Sequence, residues 1–279
     1  MKMERIDLYE YFGIKKQDGA CGYLNCFIRE KSWEYSLSRL RPAMIVLPGG
    51  GYQMRSDREN EPIALEFLSK GYGVFTLDYS VGKFLHPTQL IEGAMAVCYI
   101  RENAERLGVD KNHVGAIGFS AGGHLCGMLA TMFNDEEVVL ALGKERALLS
   151  RPDAVILSYP VISSFEHAEE GSIYNLCGGN EELMRKVHLP DRVNSKSSPA
   201  FIWATVDDEL VECENSLMMG LAYKKAGVPF AMHIFEHGQH GLSLANDEVN
   251  TLNIDVRAWV KMCFQWLKEK GFDLVDIKG

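Results

Sequence analysis

The chain reads as an α/β fold, with a mostly parallel central sheet covered by helices on both faces. Three observations predict it. Apolar runs of six or seven residues recur along the chain, helical patterns fill the intervals, and glycine follows the end of most helical stretches. A run that is apolar throughout, not only at every second residue, suits a strand buried on both faces. Alternation of such runs with helical segments is the pattern of βαβ units.

The strand-like runs, in order, are 43–48, 73–79, 113–119, 154–160, 201–206 and 230–235. Between them, helical spacing covers 61–70 before Gly71, 90–107 before Gly108, and 121–133 directly after the third run. Two more helical stretches, 213–226 and 249–270, end at Gly227 and Gly271. A glycine just past the last periodic residue is a helix stop, because it takes the left-handed conformation without a Cβ clash. Residues 20–40 are read as preceding strands, antiparallel to the rest. Residues 161–199 break the rhythm, with no strand-like run and many Ser, Gly, Asn and charged residues. A connection this long, placed after a strand end, reads as a small cap over an active site; the alternative is a plain surface insertion.

Composition narrows the function classes. Of 279 residues, 47% are hydrophobic and 24% charged, which excludes a disordered or collagen-like chain. The net charge is −9 and no Lys/Arg run is visible, so a nucleic-acid binder is not expected. Seven cysteines, an odd number without C-x-x-C spacing, read as buried thiols in a reducing, cytoplasmic setting. The first 13 residues carry no apolar leader pattern, and no apolar stretch is long enough to span a bilayer.

The segment Gly118-Phe119-Ser120-Ala121-Gly122 matches G-x-S-x-G, preceded by a strand-like run and followed by a helical one. That context is what the motif requires. The serine must sit on a sharp strand-to-helix turn. The residues two before and two after pass close together, so both must be small. Ser120 is the candidate nucleophile; the competing reading is a tight glycine turn with an incidental serine.

An oxyanion needs fixed donors. Pro48-Gly49-Gly50-Gly51-Tyr52 follows the first strong strand-like run, where glycines let backbone N–H groups face a ligand. The candidate donors are the N–H groups of Gly50, Gly51 and Ala121. A nucleotide-type phosphate loop is the alternative, but neither G-K-[S/T] nor G-x-G-x-x-G is present.

A serine needs a base, and the base needs an acid to orient it. His240, in the turn-rich loop after the last strand-like run, is the preferred base, with His237 as runner-up. His124, four residues into the helix after Ser120, reads as a core histidine. Asp208 follows the run at 201–206 and stands three before Val211, so it is preferred to Asp207 as the acid. The order Ser, Asp, His is that of α/β-hydrolases. Either aspartate could instead cap the next helix.

The stretches PGGGYQM, EPIALEFLSKGYGVFTLDY, GFSAGGHL, RPDAVILSYPVI, SPAFIWATVDDELVECENSL, GVPF and HIFEHGQHGL occur in this order. Together they resemble the bacterial α/β-hydrolases grouped with bifunctional feruloyl and acetyl-xylan esterases, over roughly residues 41–245. The length reads as a single α/β-hydrolase domain over 1–279, and the resemblance implies deacylation of small esters such as acetylated sugars. It implies Ser120, Asp208 and His240 as the triad, whose chemistry requires no metal or organic cofactor. The chain departs from the family pattern at Glu212, where Pro often follows the Val. It carries Pro48 where other esterases have a histidine. A small ester is the expected partner, with no nucleic acid or membrane; a homo-oligomer stays open. Tyr174 and Phe165 could stack on a sugar ring, but anchoring the cap to the core is the preferred reading. A peptidase and an inactive hydrolase-like binding protein are the rivals.

Overall fold

A strand, β1 (Lys2–Asp7), and a short helix, α1 (Leu8–Phe12), open the chain. Neither carries a strong apolar run, so their sequence does not mark them as regular elements. Asp7 caps α1 by accepting from the N–H groups of Tyr9 and Glu10, and left-handed Gly13 ends it. The computed structural model describes residues 1–30, 34 and 39–276. The expected strands at 20–40 become β2 (Tyr23–Ile28), antiparallel to β1; residues 31–33 and 35–38 lie outside the described residues.

The remaining elements follow the expected alternation. They are β3 (Arg39–Leu47), α2 (Glu61–Ser69), β4 (Gly73–Asp78), α3 (Thr88–Glu102), α4 (Ala104–Leu107) and β5 (Val109–Phe119). Next come α5 (Ala121–Thr131), α6 (Glu136–Leu142), α7 (Lys144–Leu149) and β6 (Ala154–Ser158). Then come α8 (Glu170–Cys177), α9 (Glu181–Val187), β7 (Ala200–Thr205), α10 (Glu214–Ala226), β8 (Phe230–Phe235), α11 (Ala258–Glu269) and β9 (Val275–Asp276).

The sheet runs β1-β2-β4-β3-β5-β6-β7-β8, with β9 paired to the start of β3. The pairs from β4 through β8 are parallel, and the β1–β2 and β2–β4 pairs are antiparallel. This is the α/β-hydrolase fold. Period-two alternation sorts the core into two layers. Ile45 and Leu47 of β3 join one apolar cluster with Leu125 and Met128 of α5 and Leu90 and Val97 of α3. Met44 and Val46 join the other with Ile63 and Phe67 of α2 and Trp259 and Cys263 of α11. There Trp203 stacks on Trp259, with ring centroids 5.1 Å apart and 15° between planes.

Two helical expectations change, and 161–199 gains helices that were not expected. The stretch 90–107 is two helices, α3 ending at Glu102 and α4 starting at Ala104, with the Asn103 side chain between them donating to the carbonyl of Tyr99 (2.9 Å). The last helix begins at Ala258, not at 249. Asn246 instead caps a 3-10 turn at Asp247–Val249, and Asn250 is left-handed (φ 55°). The segment 161–199 contains α8 and α9, capped by the side chains of Glu169 and Asn180. Among the described residues no helix is long and apolar enough to cross a membrane.

Candidate active site

The site gathers at the carboxyl ends of the parallel strands, where loops from non-adjacent parts of the chain meet. β3 leads into the glycine loop, β5 into Ser120, β7 into Asp208 and β8 into the histidine loop.

Ser120 takes φ 53° and ψ −122°, a strained conformation for a residue with a Cβ. Two close approaches show why its neighbours are glycines. A Cβ on Gly118 would lie 2.1 Å from the carbonyl oxygen of Gly122. One on Gly122 would lie 2.2 Å from that of Leu47. The turn is therefore clamped between the start of α5 and the end of β3. The N–H of Ser120 donates to the carbonyl of Ser158 (3.0 Å), fixing the turn to the neighbouring strand.

His240 Nε2 lies 2.9 Å from Ser120 Oγ, and its Nδ1 lies 2.7 Å from Asp208 Oδ2. Asp208 is buried, and its other oxygen accepts from the N–H groups of Leu210 (3.0 Å) and Val211 (2.9 Å). With those donors on Oδ1, Oδ2 is left to face the imidazole. The expectation that one aspartate caps the next helix does not hold: the residue before α10 is Cys213, without a side-chain cap. Asp207 points into solvent and pairs with His237 (2.8 Å). That pair raises His237 above the ordinary histidine range.

The N–H of Gly49 is consumed by Glu59 Oε2 (2.8 Å). Among the described residues, no hydrogen bond takes the N–H of Gly50, Gly51 or Ala121. The three N–H groups singled out from the sequence thus have no acceptor among the described residues. Tyr79 Oη donates to the carbonyl of Pro48 (2.5 Å), and Asn175 donates to that of Gly51 (2.8 Å), so both ends of the loop are held.

His124 is fully buried. Tyr52 Oη lies 2.9 Å from its Nδ1 and the carbonyl of Val187 lies 2.9 Å from Nε2. The carbonyl can only accept, so Nε2 carries the proton and Nδ1 accepts from the tyrosine. Burial pushes His124 down to about 4. It is a core histidine joining α5, the glycine loop and α9.

Several residues of the site carry no motif. Asn215 is buried in the first turn of α10. Its Oδ1 accepts from the N–H groups of Ile162 (2.9 Å) and Ser163 (3.0 Å). Its Nδ2 donates to the carbonyls of His167 (2.8 Å) and Glu212 (3.1 Å). It ties the start of 161–199 to the loop that carries Asp208. Glu59 sits in the polar run SDREN, which reads as surface, yet only 3% of it is exposed.

One cavity, of about 780 Å³, opens at the site beside His240, with Val206, Leu210 and Gln239 in its wall. Another, of about 520 Å³, lies within 161–199, walled by Phe165, Ile173, Tyr174 and Met184. Phe165 and Tyr174 are 44% and 66% exposed, so neither anchors that segment in the core. His167, Glu212 and Glu214 bring ligand atoms within 4.8 Å of one another on the surface. His167 and Glu212 already pair there, which puts the departure at Glu212 to use as an ion pair.

Comparisons with known proteins agree with this architecture. The chain matches the BD-FAE family over residues 35–222. Endo-1,4-beta-xylanase B of Butyrivibrio fibrisolvens is 40% identical over 215 residues, covering 75% of this chain and 33% of that protein. Acetylxylan esterase of Xylanibacter ruminicola is 31% identical over 209 residues, covering 71% of this chain and 40% of that one. The chain thus matches less than half the length of these two relatives. The crystal structure of an acetyl ester-xyloside bifunctional hydrolase from Caldicellulosiruptor lactoaceticus superposes with a TM-score of 0.81 at 36% identity. That match covers 96% of this chain and 97% of that one. With the family match spanning most of the chain and the same fold end to end, this chain belongs to the BD-FAE family of α/β-hydrolases.

Proposed function

We propose that the protein hydrolyses small carboxylic esters, with short acyl groups such as acetyl, through an acyl-enzyme on Ser120. The observation that carries this reading is the hydrogen-bonded series Asp208, His240, Ser120 at 2.7 and 2.9 Å. In the proposed reaction Ser120 Oγ attacks the ester carbonyl as its proton passes to His240 Nε2. Asp208 accepts from Nδ1–H and stabilises the imidazolium. The N–H groups of Gly50, Gly51 and Ala121 receive the oxyanion, a contribution of about 3 kcal/mol per donor. The alcohol leaves with the proton from His240. Water then attacks the acyl carbon, giving its proton to His240, which returns it to Ser120 Oγ as the acid departs.

The alcohol is proposed to be a carbohydrate or similar polyol. The support is the presence of an acetylxylan esterase and an acetyl ester-xyloside bifunctional hydrolase among the similar proteins, together with the exposed rings of Phe165 and Tyr174. In this reading 161–199 is a cap insertion in a single domain, and its exposed aromatic wall faces the alcohol. A cytoplasmic location is proposed from the seven free thiols, five of them buried.

The test is hydrolysis of p-nitrophenyl acetate, butyrate and octanoate by wild type and Ser120→Ala. Turnover of acetate by wild type alone is expected. Wild-type rates in the folded Ser120→Ala protein sink the reading.

A further inference from the structure

Glu59 is a buried carboxylate that the reaction above does not use. It lies in the 3-10 turn Asp57–Glu59, just before α2. Its two oxygens face two donors. Oε2 accepts from the N–H of Gly49 (2.8 Å), the residue before the two proposed oxyanion donors of the glycine loop. Oε1 accepts from Tyr159 Oη (2.7 Å). The same tyrosine oxygen accepts from the N–H of Ser243 (2.9 Å), in the loop that carries His240. Ser243 donates to the tyrosine oxygen, and the tyrosine hydroxyl donates to Glu59. The carboxyl thus receives two hydrogen bonds, one on each oxygen, which an ionised carboxylate accepts without a proton of its own.

The surroundings make this connection rigid. Ser243 Oγ donates to the carbonyl of Arg58 (2.5 Å), and Trp259 Nε1 donates to the carbonyl of Ser243 (2.9 Å). The Tyr159 ring meets the His240 ring edge-on, with centroids 5.0 Å apart. No Cβ could be added at Gly49, since it would lie 2.7 Å from Glu59 Oε2 and 2.9 Å from Ser120 Cβ. The charged and titratable groups around the carboxylate are Tyr159, Tyr79, Arg58 and His240. Burial raises the Glu59 pKa, while Tyr159, Gly49, His240 and Arg58 oppose that rise. A group this costly to bury needs a reason to be there.

We propose that Glu59 is a positioning residue for Ser120 and His240, joining the glycine loop to the histidine loop through Tyr159 and setting a second negative charge near the imidazole. The inference rests on the esterase reading. Its consequence is twofold. The bond to Gly49 holds the following N–H groups at the depth an oxyanion requires. The charge favours the imidazolium that forms as Ser120 loses its proton, adding to the effect of Asp208.

The test compares Glu59→Gln, Glu59→Asp and Tyr159→Phe with wild type on p-nitrophenyl acetate, across pH, with thermal unfolding of each. Glu59→Gln keeps the shape, removes the charge and turns an NH₂ group toward one of the donors. Its kcat is expected to fall about 10- to 100-fold with KM within about threefold. Its acid limb of kcat/KM is expected to move to lower pH. Glu59→Asp keeps the charge and restores the acid limb with part of kcat. Tyr159→Phe keeps the charge but cuts the link to Ser243, so kcat falls while the acid limb stays. A folded Glu59→Gln protein with wild-type kcat and an unmoved acid limb overturns the inference. If Glu59→Gln does not fold, Tyr159→Phe decides: reduced kcat at a wild-type melting temperature supports the link, and wild-type kcat overturns it. Ser120→Ala inactive beside a fully active Glu59→Gln leaves the esterase reading standing without the Glu59 role. No ester turnover in wild type removes both.

Discussion

Asp207 and Asp208 are adjacent in the chain, yet each holds a different histidine. Asp207 meets His237 at 2.8 Å in solvent; Asp208 meets His240 at 2.7 Å with its side chain fully buried. An exposed pair is screened and contributes little, whereas a buried charge-assisted bond fixes the geometry of its partner. Asp207→Asn should therefore leave kcat/KM on p-nitrophenyl acetate within about threefold of wild type. Asp208→Asn should lower kcat about 10³- to 10⁴-fold, because the imidazole loses its orientation and the carboxylate that stabilises its charge. Equal losses in the two variants would contradict the choice of Asp208.

The elbow leaves no room at Gly122. A Cβ there would lie 2.2 Å from the Leu47 carbonyl oxygen and 2.4 Å from that of Pro48, both backbone atoms of a central strand end. Gly122→Ala should cost about 3 kcal/mol or more in urea unfolding and should move Ser120 away from His240. A variant with wild-type stability and turnover shows that the elbow can relax.

Asn215 makes four hydrogen bonds from a buried position. Asn215→Ala leaves the N–H groups of Ile162 and Ser163 without that acceptor. A loss of about 2 to 4 kcal/mol is expected, with a rise in KM as 161–168 loosens beside the acid loop. Chemical denaturation and steady-state kinetics read the two effects separately.

His124 links acidification to stability. Its folded pKa is pushed from 6.5 to about 4 by burial, so the folded state resists a proton that the unfolded chain accepts. The stability this neutral ring contributes is full above about pH 6.5 and is lost as pH falls toward 4. At about 1.4 kcal/mol per pH unit, the loss approaches about 3 kcal/mol. Burial lowers His86 to about 4 in the same direction. Buried Glu59 and Glu92, with raised pKa values, act oppositely: their contribution is present at low pH and fades as pH rises through their folded values. The difference in unfolding free energy between wild type and His124→Gln isolates the histidine. That difference should shrink between pH 6.5 and 4; a constant difference rules out the linkage.

The parallel strands and most helix ends were legible because their causes are local. Six continuous apolar runs became β3 through β8, and Gly108 and Gly227 stop helices in the left-handed conformation. The elbow was legible for the same reason, since the need for small residues at 118 and 122 is steric and spans five positions. β1 and α1 were not, because their stability comes from pairing with β2 and packing under α3, not from their own pattern.

By itself, then, the sequence determined the layered α/β fold, the family and a short set of candidates: Ser120, two aspartates, two histidines and a glycine loop. Hydrophobic periodicity and backbone sterics act over a few residues, and a single chain displays them directly. Only the tertiary structure decided which aspartate meets which histidine, that Glu59 lies beneath the glycine loop, and that Asn215 clasps the segment after β6. Those relations depend on strand register and loop direction between residues tens to more than a hundred positions apart. A glutamate in a polar run looks the same in sequence whether it faces water or Gly49 and Tyr159.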